Sequence, residues 1–269
     1  MARDASGVER GTALITGASS GIGRDLAMVF AEHGYDLILV ARNEARLNEV
    51  GANLERRHGI RATVLAMDLS DPEAPARIAS WLSVEGRRPG VLVDNAGFGV
   101  HGPFARTDTG QELRMIQVNV TTLVHLTKLV LPGMIERRAG RILNVASTAA
   151  FQPGPFMAVY YATKAFVLSF SEALASELLG SGVTVTALCP GPTRTAFQAS
   201  ARMGPTRLDA SGLVMESEPV ARAGFEGAMK GKTVVIPGLK NRLLAETVRF
   251  LPRRTVTRVV RRVQAPAEP

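Results

Sequence analysis

Short apolar runs recur along this chain with helix-length stretches between them, and that alternation restricts the fold more than any other feature. Candidate strands fall at residues 12–16, 36–40, 62–67, 91–93, 141–146, 183–188 and 233–236. Most lack strict polar–apolar alternation, the pattern of strands covered on both faces. The intervening segments are long enough for crossover helices, so the expected class is α/β with a parallel, doubly wound sheet. Apolar residues make up 46% of the chain, ample for such a sheet. No interior linker rich in Pro, Gly or Ser breaks the pattern, and no fixed-period repeat occurs. The expected organisation is a polar lead over residues 1–10, one domain over 11–239, and a basic amphipathic extension over 240–269.

Two local constellations carry chemistry. The first strand runs into Gly17-Ala18-Ser19-Ser20-Gly21-Ile22-Gly23, and Leu26, Ala27, Val29 and Phe30 then continue at helical spacing. Strand, glycine turn and helix in that order form a phosphate-binding turn: the backbone approaches a pyrophosphate, whose charge sits at the helix N-terminus. The spacing is Gly-x-x-x-Gly-x-Gly, distinct from Gly-x-Gly-x-x-Gly. The second constellation is Tyr160 with Lys164 one helical turn away, and Ser147 at the end of an apolar run. A free phenol titrates near ~10, and a neighbouring cation lowers that value. The pair reads as a proton donor and acceptor usable near neutral pH, with Ser147 holding a substrate carbonyl oxygen. Tyr161 has no Lys four residues on and points about 100° away, so it reads as packing or solvent-facing.

Together these residues resemble the compact branch of the short-chain dehydrogenase/reductase family. Thr16 to Gly23 reads TGASSGIG, that family's cofactor turn. Asn95-Ala96-Gly97 matches its element after the fourth strand, and Pro190-Gly191-Pro192-Thr193 matches the one beside the nicotinamide. Asn119, Ser147, Tyr160 and Lys164 fall where the catalytic tetrad is expected. The resemblance covers roughly residues 12–238. It implies a Rossmann-type fold with strand order 3-2-1-4-5-6-7 and hydride transfer between a nicotinamide cofactor and a ketone or alcohol. It also implies cofactor contacts at Gly17, Ser19, Ser20, Gly21, Ile22, Gly23, Asn43, Asp68, Leu69, Asn95, Ala96, Gly97, Tyr160, Lys164, Pro190, Gly191, Thr193 and Thr195. Asp68 matches the adenine-contacting position. Asn119 is expected to hold a water that links Lys164 to solvent.

The end of the second strand bears on which cofactor. It reads Ala41-Arg42-Asn43, with no carboxylate to hold a ribose 2′-hydroxyl, while Arg42 suits a 2′-phosphate. NADP(H) is favoured over NAD(H). Asp36 is acidic but begins the strand, away from the cofactor. The substrate pocket is expected from residues 98–104, 151–157 and the segment after Pro192, where Phe197, Met203, Leu208, Leu213 and Met215 make a candidate lid. Its apolar content points to a lipophilic carbonyl compound, such as an acyl thioester, steroid-like ketone or aromatic ketone; the alternative is that these side chains only pack. His101 is read as packing or surface, with the pocket rim as its alternative. A non-catalytic nicotinamide-binding module and a membrane-surface carbonyl reductase are the competing functions.

Residues 111–138 and 156–179 bear apolar side chains on more than one narrow stripe. In the resembling family the two helices pair across subunits, so a homodimer or homotetramer is expected. The sole cysteine, Cys189, allows no internal disulfide and reads as a buried small residue. No metal site is expected. The lead has no signal-peptide core and the uncharged run 142–163 is broken by Asn144, Gln152, Pro153, Gly154 and Pro155, so a cytoplasmic protein is expected. Net charge is +8, but Lys240, Arg242, Arg249, Arg253, Arg254, Arg258, Arg261 and Arg262 against Glu246 and Glu268 put +6 of it in the tail. That distribution does not point to nucleic acid. Val256, Val259, Val260 and Val263 follow i, i+3, i+4, i+7. This basic amphipathic helix has three possible fates: packing on the domain or a sister subunit, contact with an anionic membrane, or fraying.

Overall fold

The computed structural model describes residues 11–195, 197, 201 and 214–264. In chain order they form β1 (Thr12–Thr16), α1 (Gly21–Glu32), β2 (Asp36–Ala41), α2 (Glu44–His58), β3 (Ala62–Ala66), α3 (Ala74–Val84), β4 (Val91–Asp94), α4 (Thr109–Ile116), α5 (Leu123–Glu136) and β5 (Gly140–Val145). There follow α6 (Ala158–Glu177), β6 (Val183–Leu188), the two-residue strands β7 (Thr193–Arg194) and β8 (Met215–Glu216), α7 (Ser217–Met229), β9 (Val234–Val235), α8 (Leu239–Thr247) and α9 (Arg253–Gln264). The main sheet is parallel, in the order β3-β2-β1-β4-β5-β6-β9. This is the expected seven-stranded order, with β9 as its last strand. β7 and β8 pair separately, and strands this short leave no periodic trace in the sequence.

Successive strand residues serve opposite layers, which explains why the strands do not alternate. Ala13, Ile15, Leu37 and Leu39 pack with Leu26 and Phe30 of α1, Leu47 of α2 and Phe225 of α7. Leu14, Ile38, Val40, Leu92 and Ile142 pack with Ile78 of α3, Leu126 of α5 and Leu174 of α6 on the other face. In the first layer the rings of Phe30 and Phe225 meet edge to face with centroids 4.9 Å apart, and Tyr35 joins at 5.2 Å. The Ser217 hydroxyl donates to buried Asp25, tying α7 to α1.

The strand order reverses at β1 and β4, so their loops diverge and leave a crevice beyond the strand C-termini. α4 and α5 form one helical run interrupted by a wide π-helical turn, Gln117–Thr122. The run Thr109–Glu136 is long and apolar enough to cross a membrane by length and composition. Here it is a core helix: Leu126, Val130 and Met134 are buried in the second layer. Residues 142–163 divide into β5, a 3-10 turn at Thr148–Phe151 and the start of α6, as expected from their breaks.

Of the fates open to the tail, the structure shows packing on the domain. Val256 and Val260 of α9 are buried with Ala149, Met157 and Tyr161. The lead over residues 1–10 and the lid residues Met203, Leu208 and Leu213 lie outside the described residues.

At the C-terminal end of β4 the sheet buries a carboxyl. Asp94 accepts a hydrogen bond from Thr127 Oγ1 at 3.1 Å, and burial pushes its pKa up to about 8 from 3.8. Between those two values the folded state retains a proton that the unfolded chain releases, so stability falls as pH rises from about 4 to about 8. Asp94→Asn keeps the shape and removes the titration. Thermal unfolding across that window is expected to show a flatter Tm profile for the variant; parallel profiles would refute the assignment.

Candidate active site

The glycine turn is built by close approach. Gly17 has φ +67°, and a Cβ on Gly23 would lie 2.3 Å from both Gly17 O and Asn95 Nδ2. One hydroxyl latches the turn to the next loop: Thr16 Oγ1 donates to Val93 O (3.2 Å) and accepts from Asn95 N (2.9 Å) and Ala96 N (3.0 Å). The Asn95 amide donates to Thr16 O (2.9 Å) and Gly17 O (3.3 Å), so its side chain holds the turn in shape. α1 begins at Gly21 without a side-chain cap from Ser20 and without an acidic residue in its first turn. Its leading N–H groups and positive dipole end therefore suit an anion.

Arg42 and Asn43 follow β2 on the wall of the same cavity, and Asn43 Oδ1 caps α2 by accepting from Arg46 N at 3.0 Å. Arg46 lines the wall too, a second cation that the sequence reading did not single out. Its signal was there, four residues after Arg42 at the start of a helix. Asp36 lies at the opposite end of β2, paired with Arg61 at 3.1 Å. Asp68 accepts from Ser70 N and Oγ at 2.9 Å, and Leu69 O accepts from Thr122 Oγ1 at 2.8 Å. Thr195 leans on the turn, its Cγ2 3.1 Å from where a Gly21 Cβ would stand.

The proton-handling group lies across the cavity. Lys164 is buried, donates from Nζ to Val145 O at 2.7 Å, and sits 5.9 Å from the Tyr160 ring centroid. Ser147 Oγ accepts from Ala149 N (3.1 Å), donates towards Pro190 O (3.4 Å) and shares a hydrogen bond with the Tyr160 phenol. The electrostatics differ from the expectation of an acidified phenol. Burial holds Tyr160 above its ordinary value, opposed by the Ser147 hydrogen bond, and burial pulls Lys164 down to about 8. Desolvation is the largest influence on both groups. Asn119 does not reach the cavity wall. It sits in the π-helical turn behind Gly97, donating to Phe98 O (3.0 Å) and Thr163 Oγ1 (3.1 Å) and accepting from Phe98 N (3.1 Å). Its side chain is thereby committed to positioning the loop after β4 against α6.

Apart from Asn119, every site residue expected from sequence lines one cavity of about 1160 Å³. That exceeds the roughly 300–1,000 Å³ of drug-sized sites. The segments expected to form the pocket line it in part. Phe98, Gln152, Met157 and Phe197 line it, and the Phe197 and Tyr160 ring centroids are 5.1 Å apart. Phe104 is exposed instead, and His101 Nε2 lies 3.0 Å from Gln264 O, a packing role. Tyr161 is buried and accepts from Gln264 Nε2 at 2.8 Å. The wall that sequence reasoning missed comes from the tail: Leu244, Val248, Leu251, Val256, Val260 and Val263. The valine stripe was visible, but its receiver was not, because the contacts span about a hundred residues. Cys189 is buried with its thiol pushed up to about 12, so it is unreactive.

The sequence model described as "short chain dehydrogenase" matches residues 11–205. A very-long-chain 3-oxoacyl-CoA reductase from Laccaria bicolor is 37% identical over 182 residues, 66% of this chain and 54% of that protein. The chain thus spans about half the length of the curated relatives it matches. Among solved structures, a short-chain dehydrogenase from Sphingobium yanoikuyae in complex with NADPH is 36% identical with a TM-score of 0.80, covering 88% of this chain and 92% of that one. A 7beta-hydroxysteroid dehydrogenase is 26% identical with a TM-score of 0.84, covering 93% and 96%.

Proposed function

The chain belongs to the short-chain dehydrogenase/reductase family, and on that premise we propose that it is an NADP(H)-dependent oxidoreductase that reduces a lipophilic ketone. The carrying observation is that Ser147, Tyr160 and Lys164 meet the glycine turn across a single cavity. A nicotinamide dinucleotide fits the residues present: the uncapped start of α1 suits its pyrophosphate, and Arg42 with Arg46 suits a 2′-phosphate. When bound, it supplies the hydride.

The chain's own residues do the rest. Ser147 holds the substrate carbonyl oxygen. Tyr160, kept protonated at neutral pH by burial, gives its proton to the oxygen as the carbon accepts hydride. Lys164 places positive charge beside the resulting phenolate, and its lowered pKa makes it a ready proton source. Asn119 holds the Phe98 loop and α6 in register. The tail's Leu and Val side chains form an apolar wall, which supports a lipophilic substrate, as do relatives named for very-long-chain acyl and steroid substrates.

We also propose a homodimer or homotetramer. Leu113 of α4, Leu129 and Ile135 of α5 and Phe166 of α6 are exposed, and Phe166 stacks on Phe170 with centroids 6.0 Å apart.

Three measurements test these readings. NADPH oxidation with a panel of lipophilic ketones is expected to show turnover that falls about 10²–10⁴-fold in Tyr160→Phe. Undiminished turnover in that variant would reject the mechanism, and no turnover with any carbonyl would favour a binding module. Arg42→Ala is expected to raise KM for NADPH roughly ten- to hundred-fold, the loss of one charged hydrogen-bond partner, with KM for NADH unchanged. Equal effects on both cofactors would remove Arg42 from the 2′-phosphate site. Light scattering should give a multiple of 28.7 kDa; a monomer at micromolar concentration would refute the assembly.

A further inference from the structure

We propose that the outer face of α8 and α9 docks on an anionic lipid bilayer, and that the cavity receives its lipophilic substrate from that bilayer. The second half of this inference rests on the reading above; the first half does not.

The inner face of α9 is fully used. Val256 and Val260 are buried, Gln264 Nε2 donates to Tyr161 OH at 2.8 Å, and His101 Nε2 meets Gln264 O at 3.0 Å. These contacts fix which side of the helix looks outward. At 100° per residue, Arg254, Arg258, Arg261 and Arg262 lie within an arc of about 100° opposite Val256 and Val260. All four are exposed, and among the described residues none of them forms an ion pair with a carboxylate. Arg261 instead lies 6.0 Å from the Phe156 ring centroid. From residue 247 to 264 there is no Asp or Glu at all.

Beside this basic face stands an apolar one. Phe250 is 85% exposed, Leu243 59%, Leu244 53%, Val259 52% and Leu251 45%. Three of these, Leu244, Leu251 and Val259, also line the cavity. The apolar surface therefore continues from the outside of the protein into the substrate wall, bordered by guanidinium groups. An acidic protein partner would satisfy the arginines but gives no reason for an apolar path that leads inward. A bilayer satisfies both at one plane: phosphate headgroups meet the arginines, the stems of which bury along the acyl boundary, and the leucines and Phe250 enter it.

Co-sedimentation of the full chain with vesicles of mixed phosphatidylglycerol and phosphatidylcholine tests the docking. Binding is expected to be at least ten-fold tighter than to pure phosphatidylcholine and to weaken as salt rises. The triple variant R254Q/R258Q/R262Q, at positions that do not line the cavity, is expected to lose that preference while keeping the parent Tm. Absence of binding to the anionic vesicles, or equal binding by the variant, would overturn the proposal and leave an acidic protein as the better partner. For the loading step, a long-chain ketone carried in those vesicles is compared with a short water-soluble ketone. The triple variant is expected to lose turnover only with the first, and equal loss with both would overturn direct loading. If the parent turns over neither ketone while still binding anionic vesicles, the proposed activity fails and the docking stands.

Discussion

A parallel sheet covered on both faces has no room for polar chemistry except at its ends, and the site of this protein obeys that limit. Leu14 and Ile15 are buried in opposite layers, and the next residue, Thr16, is the latch of the glycine turn. Ser147 stands two residues past β5, and Asn95 one residue past β4. The reversal of strand order at β1 and β4 then gathers these ends around one crevice. Lys164 is the exception: a buried ammonium on the flank of a helix. It is accommodated because Nζ donates to the carbonyl of Val145, the last residue of β5, so the same contact pins α6 to the strand end beside Ser147.

That arrangement sets two opposed influences on the phenol. Removal from water favours the neutral hydroxyl, and the Ser147 hydrogen bond favours its ionised form. Desolvation is the larger, and it acts on the ammonium as well, in the direction that loosens its proton. The two groups, nearly equal in proton affinity in water, are thus driven apart: the phenol holds its proton more tightly and the ammonium less. A phenol that retains its proton and an amine that holds its own less tightly make a donor with a reserve behind it.

How much of this was visible in the sequence depends on the range of the contacts. The strands, their order through family resemblance, the glycine turn and the pairing of Tyr160 with Lys164 are properties of short windows. Within such windows burial on two faces and helical spacing leave a direct mark. The roles of Asn95 and Asn119 were less legible. Both were placed near the cofactor or the proton path, and their side chains also hold loops, Asn95 on Thr16 and Gly17, Asn119 on Phe98 and Thr163. The third wall of the cavity was invisible for a simpler reason. An amphipathic stripe announces that a partner exists but not where it is, and Gln264 finds Tyr161 across 103 residues. The sign of the shift at Tyr160 was also out of reach, because desolvation depends on everything packed around the ring.

The wide turn at Gln117–Thr122 constrains insertion and deletion in this helix. A π-helical turn holds one residue more than the α-helical path it replaces. Removing a single residue there would restore an unbroken helix with better hydrogen-bond geometry. The flanking helices would keep their alignment, because the wide turn absorbs the extra residue, but Asn119 within it would lose its place against Phe98. The helix is therefore spaced by a shim whose loss would improve the local backbone and misalign the loop after β4. Length at this point is under tension between regular structure and the register of the site.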